Sequence, residues 1–144
     1  MFKHILIPAD GSDASRRAVQ KGVELASALG SAVTLMTAVE QYPGGVRGAS
    51  TQTVGNPMHQ AAKEAALHWL AQAKESVAHR GVPIETIVGE HNSVHQCILE
   101  AAKASGADLI VMGTHGAGAL ERLLLGSQTQ RVLSHTTIPV LVLH

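Results

Sequence analysis

Aromatic side chains are almost missing from this chain of 144 residues, where Phe2, Tyr42 and Trp69 are the whole set. So few rings supply no platform on which exposed bases could stack. Cysteine is rarer still. Cys97 stands alone, which excludes a disulfide framework and a paired-cysteine metal site and fits a reducing compartment. Neither sign of charge is in excess, since eleven basic side chains meet eleven acidic ones and no basic stripe gathers on one segment. That argues against nucleic acid or an anionic membrane as the main partner. No apolar run approaches the ~18 residues of a membrane span, and "MFKHILIPADGS" is interrupted too soon to act as a signal peptide. The expected location is cytoplasmic. Lysine is absent from every position after Lys103, a gap that decides the reading of a glycine-rich stretch below.

What is abundant is Ala, Val, Leu and Gly. A chain of this length is expected to form one domain, residues 1–144, burying roughly 70% of its unfolded surface. Five short apolar runs recur: "HILIPA", "AVTLMTAV", "IETIV", "DLIVMG" and "PVLVL". Each is continuous, not alternating, as a strand covered on both faces should be. Helical spacing fills the gaps. Ser12 can cap a helix that runs to Leu29 and stops at Gly30, with Ala18, Val23, Leu25, Ala26 and Leu29 on its buried face. A second helix is expected over 58–80, with Met58, Ala62, Ala65, Trp69, Ala73 and Val77 inward and Gly81 closing it. The third spans 93–105, with Val94, Cys97, Ile98, Ala101 and Ala102 inward and Gly106 beyond. The fourth runs from Ser127 to about His135.

Strand and helix therefore alternate throughout, and the expected fold is α/β: a single doubly wound open sheet of five parallel strands, order 3-2-1-4-5, helices on both faces. Residues 40–57, rich in Gly, Ser and Thr without apolar periodicity, break the rhythm and read as a long loop. In such a sheet ligands sit beyond the carboxyl ends of the strands where the winding reverses. Here that is between strands one and four. The flanking segments are "PADGS" and "GTHG".

"GTHGAGALERLLLGS", residues 113–127, resembles a phosphate cradle but fits neither familiar pattern. A Walker loop needs a lysine, and none is present; the dinucleotide fingerprint needs a third glycine where Glu121 stands. What remains is Gly113-x-x-Gly116, nine residues, then Gly126-Ser127 at a helix start. Glycines let backbone N–H groups approach an anion, and a helix N-terminus is positive. The alternative is that the glycines only make turns and Ser127 only caps a helix.

The spacing G-2x-G-9x-G-S after "DLIVMGTHG", together with "ILIPADGS" and "IPVLVLH", resembles the universal stress protein family over nearly the whole chain. In that family the glycine motif marks the members that bind ATP. The resemblance implies that Asp10 contacts adenine, that Pro8 and Ala9 line the nucleotide, and that Val39 closes the adenine side. It also implies that Gly113, Gly116, Gly126 and Ser127 surround ribose and phosphates, and Met112, His115 and Gln128 complete the expected site. Two positions depart from the family pattern. Ala117 stands where many relatives have arginine, and Gln128 where they have a small or β-branched residue. The missing cation should weaken triphosphate binding and leaves ATP, ADP, AMP and cyclic AMP open as ligands, with magnesium accompanying ATP. Binding is expected to order residues 42–57 or 117–125 and so alter the choice of a protein partner that the sequence does not name.

Other residues offer less. Asp10 before Gly11 is also a natural Asx-turn residue. His115 can donate to phosphate or be a solvated loop residue. His91 and His95 lie four apart but lack a third ligand, so no metal site is expected. No Ser-His-Asp set, metal pair or phosphate-reading lysine can be assembled, so no catalytic residue is expected and at most slow ATP turnover. The apolar strand "IPVLVLH" lies at a sheet edge and is expected to pair with a second copy as a homodimer. Two other readings stand beside nucleotide binding. One is a nucleotide-independent dimeric interaction protein. The other is an ATP pyrophosphatase-like enzyme, disfavoured by the lack of an "SGG" loop after strand one.

Overall fold

A computed structural model describes residues 1–41, 57–114 and 126–144. Five strands form one sheet in the order β3-β2-β1-β4-β5: β1 His4–Pro8, β2 Ala32–Glu40, β3 Ile84–His91, β4 Leu109–Gly113 and β5 Val140–Leu143. All neighbouring pairs are parallel. The helices are α1 Asp13–Leu29, α2 Pro57–Ser76, α3 Val94–Ser105 and α4 Ser127–His135.

The continuous apolar strands are explained by cover on both sides. Ile5, Ile7, Val33, Leu35, Leu109 and Val111 pack with Val19 and Val23 of α1 and Leu70 of α2. The alternate residues Leu6, Met36, Ile110 and Met112 pack with Cys97 and Ile98 of α3 and Val132 of α4. A period of two thus divides one sheet between two cores. At the start of β1, Asp108 accepts hydrogen bonds from the N–H groups of His4 (3.0 Å) and Lys3 (2.8 Å). Those donors hold its carboxyl below the ordinary value and tie β1 to the segment leading into β4.

Local signals set the helix ends. Ser12 Oγ accepts from Ser15 N–H at 3.2 Å, and Gly30, left-handed at φ 69°, closes α1 by donating to the Ala26 carbonyl, a conformation that a Cβ would oppose. Among the described residues the helices and strands differ from expectation in their faces and boundaries. Val19 and Gly22 are buried on α1, whereas Leu29 is 44% exposed. The second helix stops at Ser76, and a 3₁₀ turn over Ala78–Arg80 leads to Gly81. Its buried residues are Ala66, Leu70 and Ala73; Ala62 and Ala65 are exposed, as is Met58, at 76%. In an alanine-rich helix several faces offer similar apolar area, and the sheet chooses among them. The third strand continues to His91 because β2 pairs with it as far as Glu40 opposite His91, so Glu40 belongs to a strand and not to the expected loop. His115 and Gly116 of the expected site, with 42–56 and 117–125, lie outside the described residues.

Candidate functional site

The site begins with a parting of strands. β1 pairs with β2 at five positions, from His4 opposite Ala32 to Pro8 opposite Met36. With β4 it pairs at two, Ile5 with Leu109 and Leu6 with Ile110. Beyond that point the end of β1 stays with β2. Ala9 N–H donates to the Met36 carbonyl (2.8 Å), and the Thr37 hydroxyl donates to the Ala9 carbonyl (2.8 Å). Successive N–H groups along a strand face opposite neighbours, so position 8 faces β4, and proline has no N–H to give there. The end of β4 stays with β5, where Thr114 N–H donates to the Leu143 carbonyl (2.9 Å). A crevice opens between the two, at the point where the winding reverses.

That crevice is a cleft of about 220 Å³. Among its lining residues are Pro8, Ala9, Asp10, Met112, Gly113 and Gln128, six of the expected site residues drawn from three separate segments. Met36 and Ala38 of β2, with Val94 and Ile98 of α3, make its apolar side, and Ser12, Ser15 and Thr129 add hydroxyls. Sequence reasoning missed these seven. The apolar ones sit in ordinary core positions that nothing local marks as facing a cleft. Ser12 carried a signal, but as a helix cap.

Several of the expected residues also have a structural role. Asp10 is exposed, and its Oδ1 accepts from Ser12 N–H at 3.0 Å, an Asx turn that leads the chain into α1. Between them Gly11 adopts φ 85° and lies against the Trp69 ring. A Cβ on Gly113 would stand 2.7 Å from the Ala14 carbonyl oxygen, so this glycine lets β4 approach the first turn of α1. Gly126 is the N-cap of α4, with extended backbone and no side-chain cap, and no acidic residue lies in the first turn. Ser127 is the first helical residue and is exposed, so it does not cap the helix. α1 differs in having its own serine cap and Asp13 in its first turn. The first turn of α4 is therefore the better anion acceptor of the two.

Val39 lies elsewhere. It lines a neighbouring hollow with Thr37, His59, Ala62 and Trp69, and the two spaces share Asp10 and Ala38. On its rim side Glu90 accepts from the Lys63 ammonium at 2.6 Å, with His59 at 3.4 Å. That lysine draws the Glu90 carboxyl below its usual value. Near the other side of the cleft, at the start of α3, His95 Nδ1 meets Ser93 Oγ at 2.8 Å, and its ring lies 5.0 Å from that of His135 on α4. Desolvation, then the charges of His135, Arg131 and His91, push the His95 pKa down. His91 ends β3, and its Nδ1 accepts from Ser93 N–H. Among the described residues no group of three or more His, Cys, Asp or Glu side chains could hold a metal ion. No helix among them is long and apolar enough to cross a membrane.

A doubly wound parallel sheet with an open cleft at its switch point defines the class as doubly wound α/β. The comparison with known sequences narrows the class. The sequence profile of the universal stress protein family matches residues 1–144, and the chain belongs to that family. It is 36% identical over 143 residues to a universal stress protein of Thermus aquaticus, covering 99% of this chain and 98% of that one. With YxiE of Bacillus subtilis, also a universal stress protein, it shares 33% over 148 residues, 99% of each chain. Among solved structures, MJ0577 of Methanocaldococcus jannaschii superposes with a TM-score of 0.78 at 26% identity, covering 99% of this chain and 96% of that one. A universal stress protein solved in complex with cAMP has a TM-score of 0.70 at 26% identity, with coverage of 99% and 97%.

Proposed function

We propose that this chain is a stress-response regulator that binds an adenine nucleotide in the cleft between β1 and β4 and engages protein partners according to whether the nucleotide is bound. The observation that carries the reading is the convergence of Pro8, Ala9, Asp10, Met112, Gly113 and Gln128 on that one cleft. The cAMP complex of a similar protein supports an adenine ligand. The Asp10 carboxylate lines the cleft and is the acceptor assigned to the adenine amine. The first turn of α4, with Ser127, takes the phosphate. ATP, with magnesium, is one candidate ligand beside ADP, AMP and cyclic AMP. The reading includes a cytoplasmic location and a homodimer, and the homodimer is supported by β5, an apolar strand at the sheet edge with Leu141 39% exposed.

A second reading, a nucleotide-independent interaction protein, is favoured by the structural roles of Asp10 and Gly113, which would persist without a ligand. Titration calorimetry with ATP, AMP and cyclic AMP separates the two. Replacing Ser127 by alanine is expected to weaken binding about ten- to hundredfold, since a hydrogen bond to a charged group contributes ~1.5–3 kcal/mol. Equal affinity in the folded variant would count against the phosphate position, and no heat with any of the three would favour the second reading.

A further inference from the structure

Gln128, the second residue of α4, lines the cleft, and its Oε1 atom is buried with no hydrogen-bond partner among the described residues. Buried carbonyl oxygens in folded proteins are nearly always paired, and one left alone in the wall of a cleft calls for a donor from whatever fills it. The oxygen accepts and cannot donate, which excludes phosphate as its counterpart, because an ionised phosphate also only accepts. An adenine nucleotide carries three donor groups: the adenine amine and the two ribose hydroxyls. In the reading above Asp10 takes the amine. We infer that Gln128 accepts a hydrogen bond from a ribose hydroxyl and makes the cleft selective for ribonucleotides over their deoxy counterparts.

This inference rests on the nucleotide reading and deepens it. A site with a buried acceptor rejects a ligand lacking the donor more strongly than an apolar site rejects an added hydroxyl, because the acceptor is then left dry and unpaired.

Calorimetric titration of AMP, 2′-deoxy-AMP and 3′-deoxy-AMP into the wild-type chain and into Gln128→Leu tests it. Cyclic AMP, which keeps only its 2′ hydroxyl, helps to identify which hydroxyl is read. Wild type is expected to bind one deoxy analogue about ten- to hundredfold more weakly than AMP. In Gln128→Leu that difference should shrink to about threefold or less, through loss of AMP affinity. Without ligand, Gln128→Leu should melt no lower than wild type, since it removes an unpaired acceptor; a clear drop would mean that Oε1 is already paired, and would overturn the inference. Equal binding of all three nucleotides by wild type overturns it while leaving the nucleotide reading intact, as does undiminished discrimination in the variant. If no nucleotide binds wild type, the proposed function falls and this inference with it.

Discussion

Replacing Gly113 by alanine turns on the sign of a single number. In a strand of ordinary extended backbone, alanine is favoured over glycine by roughly 0.5–1 kcal/mol, because glycine loses more conformational freedom on folding. If Gly113 were there only to expose a backbone amide to a ligand, the variant should be slightly more stable than wild type. The structure argues otherwise. The new Cβ would lie 2.7 Å from the Ala14 carbonyl oxygen, 3.1 Å from its carbon and 3.5 Å from Ala18 Cβ. The obstacle is backbone of α1, which cannot rotate away as a side-chain tip does. Overpacking of this kind costs about 1–3 kcal/mol, which outweighs the propensity gain and leaves a net loss of roughly 0.5–2 kcal/mol. At about 2–4 °C per kcal/mol for a chain near this size, calorimetric melting should fall by roughly 1–8 °C. Gly30→Ala serves as the control, since Gly30 has φ +69° and nothing within 4 Å. It should lose about 1–2 kcal/mol from backbone conformation alone and leave the cleft untouched. Gly113→Ala should also weaken nucleotide binding, because the turn of α1 that must yield is the one Ser12 caps. A melting temperature equal to or above wild type would refute the steric argument.

Two further outcomes are expected. Because folding lowers the His95 pKa from its ordinary 6.5, the unfolded chain binds a proton that the folded chain refuses. Stability should therefore be steady above that value, fall as pH drops through it, and level off below the folded pKa. Denaturant midpoints at about pH 7.5 and pH 5.5 should show the fall in wild type and a smaller one in His135→Ala; identical slopes would remove His135 as a cause. For the dimer, Val142→Pro takes a backbone donor from the edge strand and should dissociate dimers seen by light scattering, or cause aggregation. A soluble dimer of undiminished affinity would place the interface on the helices instead.

Much of the architecture was legible because its signals are local. Ser12, Gly30 and Gly106 mark helix ends by chemistry that acts within a few residues, and the capping bonds of α1 and α3 follow them. Continuous apolar runs implied two covered faces, and short alternating elements left few topologies open. That strand order puts the reversal of winding between β1 and β4. Pro8 carried a further clue in plain view, since a proline at the end of an interior strand must break one side of the ladder.

What the sequence could not contain is which surfaces meet. The inward face of α2 differs from its most periodic apolar face because alanines bury well on several sides, and only the position of the sheet selects Ala66 and Leu70. Gly113 reads as a ligand-facing glycine until Ala14, almost a hundred residues earlier, arrives beside it. Gln128 is legible in the sequence as a member of the expected site, but the burial of its oxygen is not. The chain by itself determined the elements, their caps and the switch point, since propensity, period and proline act along the backbone. The tertiary structure alone decided the walls of the cleft and the atom within it that lacks a partner, since those depend on β1, β2, β4 and the first turns of three helices meeting across long stretches of sequence.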